Sequence, residues 1–330
     1  MKAAVIKEIK TLTIEDVTIP EPAENEVRIR VHLAGICGSD SSIYQGKLAA
    51  PFPVIPGHEA IGTIEALGAQ ASFFCIGQRV TIHPNYFCGE CPMCKKGLTN
   101  ICRNKIRLGV DINGVFADYV VVPEKAVRAI PDSLTDEVAV FAEPLAVAVH
   151  AMQVAQLEST DRVLVFGVGV IGQLTLQMAL LYSQDITACD LVPSRLELAR
   201  HMGARRTISD QDELEASDSA YDVIFETSGA PPALEMAIKL AAPGGKIVLL
   251  GIPGQSHTVP TVQIVRKELK ILGSMIYTDE IQSSIEILEK GQIQTKPLVS
   301  GIISLEQLNE NLENFNSPQR MKTLVVINKD

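Results

Sequence analysis

Residues 162–172 read RVLVFGVGVIG, an apolar run that leads directly into glycines spaced G-x-G-x-x-G. The run predicts a buried strand of a parallel sheet, and the apolar stretch 173–181 predicts an amphipathic helix after it. A second predicted strand, 186–189, ends at Asp190, eighteen positions after Gly172. A strand, a glycine turn, a helix, a strand and an acid in this order are typical of a βαβ unit that binds a dinucleotide.

Each position of the glycine loop has a predicted role. Gly167 allows the tight turn, and Gly169 lets the backbone approach a pyrophosphate. Gly172 permits close packing of the helix on the strand. The helix that begins near Val170 and Ile171 offers free backbone amides and a positive potential to the diphosphate. The alternative interpretation is an ordinary βαβ unit without a ligand.

The acid after the second strand bears on the choice of cofactor. Asp190 is predicted to accept hydrogen bonds from the adenosine ribose hydroxyls and to repel a 2′-phosphate, which favours NAD over NADP. Arg195 follows closely and argues for caution, because an arginine near this position can accommodate the phosphate. An arginine one turn into a helix is, however, more often a solvated surface residue. We therefore predict an NAD site, with Arg195 at its margin.

Four cysteines lie within fifteen positions of the chain, at Cys88, Cys91, Cys94 and Cys102. Zinc takes four such ligands in a tetrahedron, and close spacing lets one loop supply them. All four positions would be filled by sulfur, so the site is predicted to be closed and structural. Disulfides are disfavoured because two intervening residues leave little room for unstrained pairing. An iron–sulfur cluster stays an alternative, since it uses the same ligands.

A second donor set occurs in two short segments, AGICGSD (34–40) and PGHE (56–59). Cys37, His58 and Glu59 provide a thiolate, an imidazole and a carboxylate, the mixed set of a catalytic zinc site with one open position. Two zinc ions per chain are therefore predicted. The remaining thiols, Cys75 and Cys189, lie in apolar sequence and are predicted to be small buried residues.

Bulk properties narrow the class of protein. The chain has 330 residues and a formal net charge of −10, from 29 basic and 39 acidic side chains. This length predicts two domains. Without a basic block, nucleic acid and anionic membranes are not expected partners. Neither a bilayer-spanning apolar run nor a signal peptide is evident, and unpaired thiol ligands suit a reducing compartment, so a cytoplasmic location is expected.

These motifs together resemble the zinc-dependent medium-chain dehydrogenase/reductase superfamily over nearly the full length, closest to its polyol, sugar-acid and threonine dehydrogenases. The resemblance rests on the two donor segments, the four cysteines, the glycine loop, GVFADY (114–119) and EPLA (143–146). It implies an α/β chain with a GroES-like β-rich catalytic domain at 1–145 that carries both zinc ions. It further implies a doubly wound Rossmann NAD-binding domain at 146–292, and a return of 293–330 to the first domain.

The resemblance also implies roles at the catalytic zinc. Cys37 and His58 are the first two ligands. Glu143 matches the position where relatives supply a third ligand or a carboxylate bonded to the metal-bound water, and the alternative is an acid that favours the start of a helix. Glu59 competes with it, because in related enzymes the residue after the histidine can join or leave the metal. Glu59 is equally well explained as a buried acid outside the ligand set.

Proton transfer and substrate choice follow from the same likeness. Ser39 matches the hydroxyl residue that passes the substrate proton outward, although a turn-forming serine is the alternative. Many relatives have a histidine three positions later; here Ser42 stands there, so solvent is expected to take the proton. Ile276 replaces an arginine of sorbitol dehydrogenases, which disfavours sorbitol itself. Tyr44 and Lys47 lie between the predicted metal ligands in the sequence, and they are therefore predicted to border the cleft expected between the two domains.

The sequence thus predicts an enzyme that transfers a hydride between NAD(H) and a secondary alcohol, best a polyol, sugar or sugar acid. Oxidation of L-threonine and an NADP-dependent alcohol dehydrogenase are alternatives within the family. A non-catalytic protein that binds NAD and zinc is the alternative of another class. The apolar stretch 269–276 is a candidate edge strand that would join subunits as a homodimer or homotetramer, although it also suits a central strand.

Overall fold

The computed structural model describes residues 1–209, 213–214, 216–254 and 258–328. The chain divides into two compact units, Met1–Glu143 with the segment from Ile281 onward, and Pro144–Glu280. The sequence predicted boundaries at 145 and 292, so the first boundary lies close to the prediction and the second unit ends earlier than predicted. The helix Ile281–Glu289 falls in the first unit, where the Ser133 hydroxyl donates a hydrogen bond to Glu289 at 2.8 Å.

The first unit is built mainly from antiparallel strands. Its strands before the chain leaves it are β1 (Lys2–Glu8), β2 (Thr11–Asp16), β3 (Glu26–Gly35), β4 (Glu59–Leu67), β5 (Arg79–Ile82), β6 (Asn85–Tyr86), β7 (Ile106–Arg107), β8 (Tyr119–Pro123) and β9 (Val127–Ala129). Its first helices are α1 (Gly38–Tyr44) and α2 (Asp136–Ala139), and α3 (Ala142–Ala155) leads out of it. Strand β3 alternates buried and half-buried residues at its start and is buried along its second half, as expected of a central strand.

The second unit is a six-stranded parallel sheet. Its strands are β10 (Val163–Phe166), β11 (Ile186–Cys189), β12 (Arg206–Ile208), β13 (Tyr221–Glu226), β14 (Ala241–Leu249) and β15 (Lys270–Gly273), in the order β12-β11-β10-β13-β14-β15. Its helices are α4 (Val170–Leu180), α5 (Pro193–His201), α6 (Ala233–Leu240) and α7 (Thr261–Lys267). The predicted doubly wound sheet is confirmed, and its switch point lies between β10 and β13.

The chain then returns to the first unit. It adds α8 (Ile281–Glu289), β16 (Val299–Ser304), α9 (Leu308–Glu313) and β17 (Lys322–Val326). Short 3₁₀ turns lie at Cys94–Lys96, Thr99–Ile101, Glu124–Ala126, Lys296–Leu298 and Leu305–Gln307. The completed sheet has the order β16-β17-β3-β4-β5-β9, with β8 also paired to β3. Strands β3, β4 and β17 lie side by side, so residues far apart in sequence meet at their ends.

Several expectations change in the structure. Cys75 is exposed rather than buried, because it lies in a loop before β5 whose Phe73 and Ile76 also face outward, 76% and 68% exposed. Cys189 is buried, as predicted. Tyr44, which was predicted to border the cleft, is buried: it is 1% exposed, and its hydroxyl donates to the carbonyl oxygen of Lys10.

One apolar stretch also departs from expectation. Asp136–Ala155 is long and apolar enough to cross a membrane by length and composition alone, with a mean hydropathy of 1.6. In the structure, 72% of the 18-residue window used for this test, which lies within Asp136–Ala155, is buried inside the protein. Burial of this kind is typical of a core helix, and α3 accounts for most of it.

Candidate functional site

The four-cysteine loop forms a compact cluster of sulfur atoms. The Sγ of Cys91 lies 3.5 Å from that of Cys94 and 4.0 Å from that of Cys102, and the Sγ of Cys88 lies 3.6 Å from that of Cys102 and 4.0 Å from that of Cys94. A tetrahedron of sulfurs about 2.3 Å from a zinc ion has edges of about 3.8 Å. The cluster therefore fits a zinc ion closely, and all four corners are protein ligands.

Backbone amides point at these sulfurs. Cys91 N–H donates to the Sγ of Cys88 at 3.4 Å, and Cys94 N–H donates to the Sγ of Cys91 at 3.5 Å. The amides of Cys94 and Arg103 lower the pKa of Cys91 to about 6. Desolvation, together with the Cys91 thiol, raises the pKa of Cys94 to about 12. Opposite shifts are expected of packed thiols that share protons, and a bound divalent cation displaces those protons.

The second donor set is assembled by β3 and β4. Cys37 is the N-cap residue of α1, just after β3, and Glu59 begins β4. The antiparallel register places Gly35 opposite Glu59, which brings the two segments together. One ligand atom each from Cys37, His58 and Glu59 lies within 4.8 Å of the others. A mixed set of this size suits a divalent transition metal and leaves coordination positions free.

A buried carboxylate that sequence reasoning did not single out supports this set. Asp40 is 0% exposed, and its Oδ2 accepts a hydrogen bond from Cys37 N–H at 2.8 Å. Its Oδ1 accepts from Gly57 N–H at 3.1 Å and lies 3.5 Å from Nδ1 of His58. Burial alone would lower the pKa of His58, but Asp40 and then Cys37 outweigh it and raise that pKa well above its usual value. A carboxylate behind an imidazole is what orients metal-binding histidines.

A buried lysine is the second residue that sequence reasoning missed. Lys322, the first residue of β17, is 3% exposed and forms an ion pair with Glu59. Its Nζ also donates to the carbonyl oxygen of Ile36 at 3.2 Å. Burial would lower the pKa of Lys322, but the charges of Glu59, then Cys37 and Glu143, raise it. No local motif surrounds Lys322, so only the pairing of β17 with β3 reveals it.

The other residues that were predicted to act at the catalytic zinc lie outside this three-residue group. Glu143 is buried in the first turn of α3 and lies outside the Cys37–His58–Glu59 group, although its charge acts on Lys322. Ser39 lies in α1, and its hydroxyl is buried with no hydrogen-bond partner among the described residues. Ser42 Oγ donates to the carbonyl oxygen of Gly38 at 2.9 Å. That bond occupies the Ser42 hydroxyl within its own helix.

The glycine loop has the geometry of a phosphate-binding turn. Gly167 has a φ of 86°, which favours glycine. A Cβ at Gly172 would overlap the carbonyl oxygen of Gly167, so the helix can pack this closely only with glycine there. A Cβ at Gly169 would meet nothing within 4 Å, which leaves room above the loop. Gly169 is also the N-cap of α4 and offers no side chain to its first amides, which include those of Val170 and Ile171.

The acid after β11 is held at the rim of this loop. Asp190 Oδ2 accepts from Val168 N–H at 2.8 Å, and Oδ1 accepts from Val192 N–H at 2.9 Å. Arg195 is not simply solvated, because its Nη1 lies 3.7 Å from Oδ2 of Asp190 and its side chain is 25% exposed. The backbone carbonyl of Arg195 is anchored by the side-chain amide of Gln173 at 2.8 Å. Both charged side chains therefore face the end of β11, where a ribose would lie.

Comparisons with known proteins agree with this geometry. The family model for the alcohol dehydrogenase GroES-like domain matches residues 23–132, and the model for zinc-binding dehydrogenase matches residues 170–290. Sorbitol dehydrogenase of Bacillus subtilis (strain 168) is 35% identical to this chain, over 95% of the chain and 93% of the relative. The 2-dehydro-3-deoxy-L-galactonate 5-dehydrogenase of Pseudoalteromonas atlantica is 31% identical, over 94% of each.

Solved structures are similar over almost the whole chain. A zinc-binding dehydrogenase from Sinorhizobium meliloti 1021, bound to NADP, has a TM-score of 0.95 and 30% identity, and 98% of each chain is covered. An alcohol dehydrogenase from Escherichia coli CFT073, complexed with NADH, has a TM-score of 0.94 and 32% identity, and 99% of each chain is covered. The predicted combination of a GroES-like domain and a Rossmann-type sheet is confirmed.

Proposed function

We propose that this chain, which belongs to the zinc-dependent medium-chain dehydrogenase/reductase superfamily and is a zinc-dependent oxidoreductase, uses NAD to oxidise a secondary alcohol. The proposed substrate is a polyol, a sugar or a sugar acid. The relatives named above act, by their names, on a polyol and on a sugar acid. The observation that carries the proposal is the group formed by Cys37, His58 and Glu59, which fits an open metal site.

In this proposal, the side chains of the first unit hold the ion and move the proton. Cys37 and His58 supply two ligands, and either Glu59 or Glu143 supplies the third. Zinc supplies Lewis acidity, which favours loss of the proton from the alcohol oxygen. The Ser39 hydroxyl, which is not engaged by other described residues, accepts that proton and passes it outward. The Ser42 hydroxyl already donates its hydrogen bond to the carbonyl oxygen of Gly38, so it does not continue the relay and the proton goes to solvent.

In the second unit, the glycine loop and Asp190 bind the cofactor. The uncapped amides at the start of α4 receive the pyrophosphate, and Gly169 leaves space for it. The Asp190 carboxylate is fixed by two backbone amides, so its remaining lone pairs can accept bonds from ribose hydroxyls. Its charge disfavours a 2′-phosphate, and Arg195 is already drawn toward that carboxylate. NAD is therefore the proposed cofactor.

We propose a homo-oligomer, a dimer or a tetramer, in the cytoplasm. Strand β15 is an edge strand, paired only with β14 among the described strands, and such an edge invites a second copy. The acidic net charge of −10 argues against nucleic acid or anionic membranes as partners. Size-exclusion chromatography with light scattering tests the oligomer, and a monomer at micromolar concentration would contradict it.

The decisive experiment is a screen of the purified chain with NAD against polyols, sugar acids and L-threonine, following absorbance of the reduced nicotinamide. We expect turnover with at least one polyol or sugar acid, and L-threonine as the best substrate would establish the alternative within the family. Cys37→Ser should abolish turnover and one bound zinc. Cys75→Ser is the matched control, since Cys75 is exposed and lies outside both donor sets. Zinc and NAD binding with no turnover on any alcohol would favour a non-catalytic protein.

A further inference from the structure

A buried carboxylate ends strand β13 at the edge of the sheet where the glycine loop begins. Glu226 is the last residue of β13, and the parallel register places it opposite Phe166, the residue before Gly167. Its whole side chain is enclosed, and the residue is 4% exposed. Ligands of a doubly wound sheet bind at this carboxyl edge, beside the switch point. The cofactor site proposed above uses the glycine loop and Asp190 but leaves Glu226 without a role.

Three donors converge on one oxygen of this carboxylate. Oε1 of Glu226 accepts hydrogen bonds from Ser228 N–H at 2.8 Å, from the Ser228 hydroxyl at 2.5 Å and from Gly229 N–H at 2.9 Å. All three groups donate, so this oxygen acts only as an acceptor, as in an ionised carboxylate. The donors are neutral, and the negative charge of the carboxylate therefore stays uncancelled by them.

The charge of Glu226 also differs from that of another buried acid in the same unit. Glu280 is equally enclosed, at 4% exposure, and its Oε1 lies 2.7 Å from Nδ1 of His150. Glu226 makes no ion pair with a lysine, arginine or histidine among the described residues. Buried charges in proteins are normally paired with an opposite charge. An enclosed carboxylate of this kind therefore favours a ligand that brings a positive charge.

Neighbouring loops hold the carboxylate at the ligand-binding edge. The backbone carbonyl of Glu226 accepts from Leu250 N–H at 2.8 Å and from Gly251 N–H at 3.0 Å. A Cβ on Gly251 would lie only 2.7 Å from Oε2 of Glu226. The Thr227 hydroxyl donates to the carbonyl oxygen of Gly167 at 2.5 Å. The end of β13 is thus fastened both to the glycine loop and to the loop after β14.

The order of strands decides which part of the cofactor approaches this carboxylate. In the proposed site, the adenosine lies at Asp190 after β11 and the pyrophosphate lies at the start of α4 after β10. The nicotinamide half then continues past the switch point toward β13 and β14. Oxidised and reduced cofactor differ by one positive charge, which the oxidised nicotinamide ring carries. The end of β13 is therefore where the protein can distinguish the two forms by charge.

We propose that Glu226 determines specificity for the oxidation state of the cofactor, because its buried carboxylate favours NAD⁺, with its cationic ring, over NADH. The proposal rests on the proposed function, since it assumes that NAD binds at the glycine loop. The charge acts on the ring, and the hydrogen bonds from Ser228 and Gly229 hold the charge in place. An enzyme that oxidises alcohols is thereby protected from competition by its reduced product.

The test measures the Kd of NAD⁺ and the Kd of NADH separately, by calorimetry on the full-length chain. Glu226→Gln keeps an acceptor oxygen and removes the charge. The Kd of NAD⁺ should rise about fivefold to tenfold, the scale of two unit charges in a partly screened site, while the Kd of NADH stays unchanged. Asp222→Asn is the matched control, because it removes one charge near the opposite end of the same strand. It should change neither Kd.

A second pair of variants separates charge from hydrogen bonding. Glu226→Asp keeps the charge on a shorter side chain, so both Kd values should rise together and their ratio should stay as in the parent. Glu226→Asn is equally short but neutral, and its ratio should shift against NAD⁺ by the same factor as in Glu226→Gln.

A merely structural role predicts another pattern. If Glu226→Gln weakens both forms of the cofactor by the same factor, or weakens neither, the proposal is wrong. If Glu226→Gln does not fold, the shorter pair decides, since equal ratios in Glu226→Asp and Glu226→Asn would equally overturn it. The proposed function fails differently: the parent chain would bind neither NAD⁺ nor NADH, or would bind NAD⁺ and reduce it with no alcohol.

Discussion

Asp40→Asn removes one charge from behind the candidate metal site with little change of shape. The carboxylate accepts one hydrogen bond from Cys37 N–H and one from Gly57 N–H, at 2.8 and 3.1 Å. An amide can present an oxygen to only one of these two donors, because its NH₂ group faces the other. One buried backbone N–H therefore loses its acceptor, and His58 loses the negative charge beside its Nδ1.

Two magnitudes follow from this geometry. A buried donor without an acceptor costs about 1–3 kcal/mol, so the free energy of unfolding should fall by about 2 kcal/mol. Loss of a carboxylate that orients a metal-binding histidine weakens metal binding by about 10–100-fold. Asp40 is 0% exposed, so water does not replace either interaction. Both losses should therefore appear close to full size.

Urea denaturation followed by circular dichroism measures the first effect, and competition with a zinc chelator measures the second. Asp222→Asn is the matched control, because Asp222 also accepts from a backbone amide and a basic side chain, both from Arg162, but lies in the other unit. It should leave zinc binding unchanged. Should Asp40→Asn hold zinc at the open site as tightly as the parent, the role assigned to Asp40 would be refuted.

Three further outcomes are expected. Asp190→Ala should raise the KM for NAD about tenfold or more and that for NADP far less, since only NAD uses the ribose bonds; equal losses in steady-state kinetics would refute the ribose assignment. Gly172→Ala should cost about 1–3 kcal/mol and weaken NAD binding, because its methyl group would overlap the carbonyl of Gly167; unchanged NAD affinity by calorimetry would argue against a tight loop. The Arg162 guanidinium lowers the pKa of Asp222, so this pair stabilises the fold above the carboxyl's unfolded pKa of about 4 and loses its effect as pH falls below that value. Because both side chains are partly exposed, the contribution is no more than about 1 kcal/mol. In Asp222→Asn, the free energy of unfolding in urea should therefore fall by about 1 kcal/mol less than in the parent as the pH is lowered from about 7 to about 3. An equal loss of stability at all pH values would contradict this assignment.

The parts of the site that lie within one short segment were accessible from the sequence. The four cysteines are spaced within one loop, so their meeting requires no knowledge of the fold. The glycine loop is similar, because strand β10, the turn and helix α4 follow each other directly along the chain. In each case, a local pattern and a chemical requirement coincide, and the structure places the atoms where the pattern indicated.

Whether a single residue is exposed or buried was harder to predict from the sequence. Cys75 lies in apolar sequence, yet its loop faces outward, whereas Tyr44 was expected near a cleft and is buried. Residue type gives an average preference for burial, and neighbouring elements decide the individual case. Arg195 is a similar case, because its approach to Asp190 depends on how helix α5 starts after β11.

By itself, the sequence determined the strand–turn–helix–strand order of residues 162–189, the sulfur-rich loop and the turn for the pyrophosphate, because hydrophobic period, glycine freedom and ligand spacing act over a few residues. Only the tertiary structure decided that Asp40 lies behind His58 and that Lys322 closes on Glu59. Glu59 and Lys322 are 263 positions apart in the sequence. Their meeting follows from β17 and β4 flanking β3, and strand order is set by packing of the whole sheet rather than by any local pattern.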